Sequence, residues 1–168
     1  QKGNVSEQRH LGVGAGDVQR VVSDALLSHN PATGKEQWAY RGGAVMNSTL
    51  TIAEDTIYFV ESRSPDVAKA ATSRIVPTQL IGQHLVALDR LTGKKLWERP
   101  VDFSKCENML YLVHAQGTLV ATGSDHNKVY HTYAYDVSSP ALRFGEGKAE
   151  VPELWNKSRK AAKDHHGG

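Results

Sequence analysis

Short runs of apolar, β-branched and aromatic residues recur along the chain, separated by clusters of turn-forming residues. The clearest pair is Thr49-Leu50-Thr51-Ile52 and Thr56-Ile57-Tyr58-Phe59-Val60, joined by Ala53-Glu54-Asp55. Such a pair predicts a β-hairpin. A second predicted hairpin is Met109-Leu110-Tyr111-Leu112-Val113, the turn Ala115-Gln116-Gly117, and Thr118-Leu119-Val120-Ala121-Thr122, with Val129 to Tyr135 as a further strand. Between Glu61 and Gln83 the pattern breaks at Ser64-Pro65 and Val76-Pro77. The Ala-rich stretch from Val67 to Ala71 inside that break is read as one or two helical turns or as a loop.

The three tryptophans, Trp38, Trp97 and Trp155, lie 59 and 58 residues apart, which is the signature of an internal repeat. The first two share the frame Thr-Gly-Lys-x-x-Trp: Thr33-Gly34-Lys35-Glu36-Gln37-Trp38 and Thr92-Gly93-Lys94-Lys95-Leu96-Trp97. In the third copy, Ala134-Tyr135-Asp136 echoes Ala87-Leu88-Asp89. Asp136 is 19 residues before its tryptophan, however, whereas Asp89 is 8 before its own, so about 11 residues enter the turn. Each unit reads as two strands joined by a tight turn, a third strand, a glycine turn and a fourth strand bearing Trp. The expected unit is a four-stranded antiparallel meander.

The pattern Ala87-Leu88-Asp89-Arg90-Leu91-Thr92-Gly93-Lys94-Lys95-Leu96-Trp97 resembles the tryptophan-docked β-propeller repeat of the bacterial PQQ-like family, which contains quinoprotein alcohol dehydrogenases and outer-membrane assembly factors. The frame ending at Trp38 matches with Asn30 in place of Asp, and the frame ending at Trp155 keeps Asp136 but lacks Thr-Gly-Lys. The resemblance implies that Thr33, Gly34, Trp38, Asp89, Thr92, Gly93, Trp97, Asp136 and Trp155 are repeat-motif residues. It also implies that each indole lies over the glycine turn of a neighbouring blade. The expected fold class is all-β, a partial propeller of four-stranded antiparallel blades. Its expected organisation is an entry segment at 1–17, a partial propeller at 18–157 and a tail at 158–168 continuing into further sequence. Within the propeller, the expectation is a blade end at 18–42, a blade at 46–101 with an insertion at 61–83, and a blade at 108–157 with an insertion at 137–153. Propellers need four to eight blades to protect their strand edges, so the chain is read as part of a longer protein.

Composition changes this picture little. With 20 Lys+Arg against 18 Asp+Glu among 168 residues, the formal charge of +2 provides no field for nucleic acid or a membrane surface. No apolar run approaches the ~20 residues of a transmembrane helix, and the polar start Gln1-Lys2-Gly3-Asn4 is read as no secretory leader. The resemblance implies a periplasmic or secreted location. A single cysteine, Cys106, excludes an intrachain disulfide and any Cys-x-x-Cys motif.

Candidate chemistry is sparse. The resemblance implies that quinoprotein dehydrogenases hold PQQ and Ca²⁺ on the propeller axis, many beside a vicinal Cys-Cys pair. This sequence has no such pair, and no catalytic residue carries over. His165 and His166, with His126 and His131, are the candidate metal ligands, weighed against a solvated tail. The glycines of Gly12-Val13-Gly14-Ala15-Gly16 lack phosphate-loop spacing and read as a flexible segment. Lys157, Arg159, Lys160 and Lys163 form a basic run, read as a solvated face or as one side of an amphipathic helix. Cys106 lies beside Lys105, whose charge could lower a thiol pKa, but ordinary burial or exposure is the favoured reading.

The expected function is an interaction or ligand-binding scaffold whose partners are the rest of the same propeller and a protein or small molecule. The two insertions are expected to line one face and carry recognition. The alternative is part of a quinone-dependent alcohol or sugar dehydrogenase whose active site lies mostly outside this chain. A third reading is an assembly factor that binds partners at a blade edge by strand addition.

Overall fold

The computed structural model describes residues 21–67, 74–144 and 150–161. Twelve strands run in chain order: β1 (Val22–Ser23), β2 (Leu26–His29), β3 (Glu36–Tyr40), β4 (Ala44–Met46), β5 (Thr51–Ala53), β6 (Thr56–Ser62), β7 (Gln83–Asp89), β8 (Lys95–Pro100), β9 (Met109–Ala115), β10 (Thr118–Ser124), β11 (Val129–Asp136) and β12 (Glu153–Lys160). One short helix, α1 (Pro140–Phe144), and two 3₁₀ turns, Asn47–Thr49 and Pro77–Leu80, complete the described elements. The fold is all-β, and every strand pairing is antiparallel.

Three sheets form. The first is the hairpin β2–β3, the second has the order β1-β4-β6-β7-β8 with β5 also on β6, and the third is the meander β9-β10-β11-β12. Only the third is the plain four-stranded unit expected from the sequence. In the second, the strand preceding β6 is broken in two by the 3₁₀ turn at Asn47–Thr49. The fully buried Thr49 bridges that break: its Oγ1 donates to the Met46 carbonyl (2.7 Å) and accepts the Val60 N–H (2.8 Å). A side-chain hydroxyl thus supplies the partner that the interrupted ladder lacks. β1 adds a strand beyond β4, with Val22 opposite Met46. It therefore belongs to the second sheet and not to the unit expected at 18–42.

Two apolar layers separate the sheets. Val45, Ile57, Phe59, Val86 and Leu88 on one face of the second sheet meet Leu26, Trp38 and Tyr40 of the first. On its other face Tyr58, Val60, Leu85, Ala87 and Trp97 meet Leu110, Leu112, Leu119, Ala121 and Tyr135 of the third. The two faces alternate along β6 and β7, so all seven residues of β6 are buried. Strands covered on both faces lose the apolar–polar alternation that marks a half-exposed strand. Sheets two and three meet along their first strands, where Ser48 Oγ donates to the Leu110 carbonyl (2.6 Å) and Thr51 Oγ1 donates to that of Leu112. At the opposite edge Phe103, Leu142, Val137 and Val151 fill the space between them, with α1 lying against β8.

Both insertions differ from expectation. In a meander the connection between strands two and three lies at the opposite end from that between strands three and four, so the β6–β7 and β11–β12 connections occupy opposite ends of the sheets. Both are also partly core: Val67, Gln79, Val137, Leu142 and Val151 are buried. β6 continues through Glu61 and Ser62 because Glu61 is paired, and β12 continues through Lys160, past the expected boundary at 157. The basic run is accordingly a strand in its described part, not a helix. Most of the Ala-rich stretch lies outside the described residues.

Candidate interaction site: tryptophan strands and glycine corners

Asn30 and Asp89 build the same corner. Asp89 Oδ1 accepts from Leu91 N–H (3.1 Å), Thr92 N–H (2.7 Å) and Thr92 Oγ1 (2.7 Å), while Asn30 Oδ1 accepts from Ala32 N–H (2.9 Å) and Thr33 N–H (3.1 Å). These bonds, the Thr92 side chain first, hold the Asp89 carboxyl below its ordinary pKa. Gly93 then turns left-handed at φ +70° and Gly34 at φ +68°. Each backbone closes with the Lys carbonyl accepting from the Asx N–H: Lys94 to Asp89 and Lys35 to Asn30, both 2.8 Å. Only a residue without Cβ takes this turn at no steric cost. Asp136 opens a third corner in the same way, its N–H donating to Pro152 (3.0 Å), with the insertion held in between.

Each corner leads into a β-bulge at an equivalent place. Trp38 pairs with Ser28 and Glu36 with His29, so Gln37 is skipped. Trp97 pairs with Ala87 and Lys95 with Leu88, so Leu96 is skipped. Trp155 pairs with Ala134 and Glu153 with Tyr135, so Leu154 is skipped. The bulge re-aims the strand so that the indole stands opposite a small residue, Ser or Ala, with room to lie across the sheet.

The three indoles differ in what covers them. Trp38 lies on the corner of the next sheet: a Cβ added to Gly93 would sit 2.5 Å from its Cδ2 and 2.6 Å from its Cε3. Its Nε1–H donates to the Arg90 carbonyl (3.1 Å). Trp97 is 8% exposed and meets Tyr58 at 5.9 Å between ring centroids. No described glycine lies under it, because the insertion after Asp136 replaces the Thr-Gly corner there, and the expectation of a glycine beneath every indole does not extend to Trp97. Trp155 is 43% exposed, with the Lys157 ammonium 5.6 Å from its ring. It opens onto a groove of about 580 Å³ that Thr122, Tyr130, Thr132 and Lys157 also line.

Beneath the first and second sheets lies a charged cluster that sequence reading missed. Fully buried Glu61 accepts from Tyr40 Oη (2.9 Å) and Gly43 N–H (2.9 Å) through Oε2, and from Arg63 Nε (2.8 Å) through Oε1. Arg63 continues to Glu98 in a two-pronged contact of 3.2 and 2.7 Å, and Lys95 also reaches Glu98. The Arg63 hydrogen bond, with Lys95 second, holds the Glu98 carboxyl at about 2, and burial together with Glu61 pushes the Tyr40 hydroxyl up. Glu61 and Arg63 are two apart, the spacing that brings strand residues to one face, and this was the available signal. The cluster borders a cleft of about 440 Å³ lined by Asp24, Arg41, Gly42, Gly43 and Ser64.

The metal candidates do not converge. His131 Nδ1 is 2.8 Å from Ser158 Oγ and its Nε2 is 3.7 Å from Asp125, whereas exposed His126 faces Glu107 at 4.0 Å. His165 and His166 lie outside the described residues, as does the 1–17 segment. No group of three or more His, Cys, Asp or Glu side chains able to hold an ion exists among the described residues. Cys106 is fully buried, and burial, with the Asp102 charge second, pushes its thiol up to about 12, opposite to the lowering that Lys105 would cause.

No family model matches this chain, and no curated protein matches it. Among solved structures it is similar to a europium-containing methanol dehydrogenase, at 14% identity and TM-score 0.44, over 84% of this chain and 23% of that one. It is similar also to rhamnogalacturonan lyase YesW (11%, TM-score 0.45, 80% and 27%) and to BamB from Moraxella catarrhalis (15%, TM-score 0.34, 83% and 46%). The chain spans less than half the length of each. Likeness at this level transfers neither activity nor site residues. No described helix is long and apolar enough to cross a membrane.

Proposed function

We propose that this chain is a sector of a PQQ-like β-propeller acting as an interaction scaffold in a periplasmic or secreted protein. The observation that supports this most is the Trp38 indole against Gly93, with the same bulge before the tryptophan in all three sheets and the glycine corner in two of them. Stacked sheets built on one local plan can be repeated around an axis, and repetition removes exposed faces. The part expected at 18–157, extended by β12 through Lys160, forms the sector in this reading, and its first partner is the remainder of the same propeller. A protein segment or small ligand is recognised at the cleft bordered by Arg41 and Arg63, where the connecting segments at 41–43 and 63–65 meet the strand ends Val22, Ala44 and Ser62.

Titration of the full-length protein that carries this chain with pyrroloquinoline quinone and Ca²⁺, followed by tryptophan fluorescence and dye reduction with alcohols and sugars, tests this reading. No quinone binding and no dye reduction are the expected results. Saturable binding with dye reduction would replace the scaffold by the dehydrogenase reading.

A further inference from the structure

One constellation of reactive side chains lies outside both the corners and the Glu61 cluster. His131 on β11 and Ser158 on β12 stand directly opposite in the antiparallel register, so both side chains share one face of the third sheet. Trp155 is three positions from Ser158 along the strand and therefore faces the other way. His131 is 5% exposed, and its Nδ1 lies 2.8 Å from the Oγ of exposed Ser158. Its other ring nitrogen, Nε2, is buried with no hydrogen-bond partner among the described residues and lies 3.7 Å from Asp125 Oδ2. Asp125 is itself fixed: Oδ1 accepts from the Asn127 N–H (2.8 Å) and the Val129 N–H (2.9 Å), which leaves Oδ2 for the imidazole. When Ser158 donates to Nδ1, the ring proton sits on Nε2, the nitrogen that faces the carboxylate. Ser158 opens into a pocket of about 170 Å³ between β12 and the 102–105 segment, which Tyr133 and Lys105 also line.

We propose that Ser158 is a nucleophile activated by His131 as general base, with Asp125 as the positioning residue, and that the site hydrolyses short-chain esters. A serine hydroxyl attacks a carbonyl only when a base within hydrogen-bond reach takes its proton, and 2.8 Å is within that reach. Ser158 Oγ bonds to the carbonyl carbon as its proton passes to His131 Nδ1. The imidazolium so formed is the species that Asp125 stabilises, and their 3.7 Å separation tightens as charge develops. The carbonyl oxygen becomes an oxyanion, for which Tyr133 and Lys105 are the donors in the pocket lining. Burial pushes the Tyr133 hydroxyl up to about 12, so it keeps its proton at neutral pH. Collapse breaks the bond to the leaving oxygen, which takes the proton from Nδ1. Water then replaces the alcohol: its proton passes to Nδ1, its oxygen bonds to the acyl carbon, and Ser158 Oγ leaves with that proton as the carboxylic acid is released. A volume of about 170 Å³ holds a short acyl group and lies below the usual range for larger ligands.

Diisopropyl fluorophosphate is the probe, because an activated serine oxygen displaces fluoride from phosphorus and an ordinary serine does not. On the full-length protein that carries this chain, peptide mapping should find the diisopropylphosphoryl group on Ser158 and not on Ser104 across the pocket. His131→Gln should slow that labelling about a hundredfold or more, the usual loss of a general base. Asp125→Asn keeps an acceptor for the Asn127 and Val129 N–H groups. It should slow labelling about tenfold and move the rate-versus-pH curve to lower pH, since an amide no longer favours the imidazolium. Ser158→Ala, at an exposed position, should lose all the p-nitrophenyl acetate hydrolysis that the fluorophosphate blocks. An unlabelled Ser158 in a protein whose circular dichroism shows the sheets intact would overturn the proposal, as would labelling at an unchanged rate in folded His131→Gln. Should His131→Gln fail to fold, Asp125→Asn decides: a pH curve that does not move means that the hydrogen bonds are structural only.

Discussion

Trp38 and Gly93 are 55 positions apart in the chain, yet the indole lies so close to the glycine that no Cβ fits between them, and its N–H is bonded to Arg90 in the same corner. Two local constructions are keyed together here: a bulge that turns the tryptophan across its sheet, and an Asx-capped corner whose glycine leaves the indole room. Gly93→Val forces a β-branched residue into a left-handed turn and against the ring, and Trp38→Ala removes the ring. Losses of about 2–4 kcal/mol are expected for each by urea denaturation. The double variant should cost clearly less than the sum, because either change breaks the same contact. Additive losses would show that the two residues act independently.

Glu61 is fully buried and accepts three hydrogen bonds, from Tyr40, Gly43 and Arg63. Removing it strands the half-buried Gly43 N–H and leaves Arg63, 35% exposed, with Glu98 as its one carboxylate. Glu61→Ala is expected to cost about 1–3 kcal/mol, the usual range for leaving a polar partner unsatisfied. Glu61→Gln, which keeps an acceptor oxygen, should cost less. Thermal unfolding of the two variants checks the order, and equal losses would count against the cluster as drawn.

Glu98 titrates at about 2 against an ordinary 4.5 because Arg63, and then Lys95, hydrogen-bond to its charged form. A depressed carboxylate contributes stability that is complete above its unfolded pKa and disappears as the pH falls through the folded one. The window is therefore roughly pH 4.5 down to 2. Glu98→Gln should flatten the acid limb of a stability-versus-pH curve across that window and leave its shape unchanged above it. A limb of the same slope in both proteins would show that Glu98 is not coupled to Arg63.

Cys106 is the one thiol of the chain, fully enclosed and pushed up to about 12. Iodoacetamide at about pH 8 should leave the folded chain unmodified and alkylate it at once in denaturant, since only the thiolate reacts. Mass spectrometry reads the outcome. Prompt labelling of the folded chain would mean that the Phe103–Cys106 turn opens readily.

Much of the architecture was legible in the sequence because its signals are local. The Glu54 and Gln116-Gly117 turns take positive φ where the hairpins were expected, and the β9–β12 meander follows the four-strand pattern. The Asp/Asn-x-x-Thr-Gly frame is equally local: every bond that shapes it joins residues within five positions. In the sequence, Glu61 and Arg63 read as the start of a loop, since a charge in an apolar run is an interruption until its partner is known. Tyr40 and Glu98, which resolve it, lie 21 and 37 residues away.

The chain order alone determined where strands begin, where they turn, and which residue in each repeat is a tryptophan, because these depend on backbone preference and on side chains a few residues apart. Tertiary structure decided which indole is covered and which is open, that the broken β4–β5 strand is bridged by Thr49, and that the two insertions stand at opposite ends. Those outcomes depend on which sheet stacks on which, and stacking brings together residues whose separation along the chain carries no local mark. Trp38, Trp97 and Trp155 share one frame, and only their neighbours in space give them three different environments.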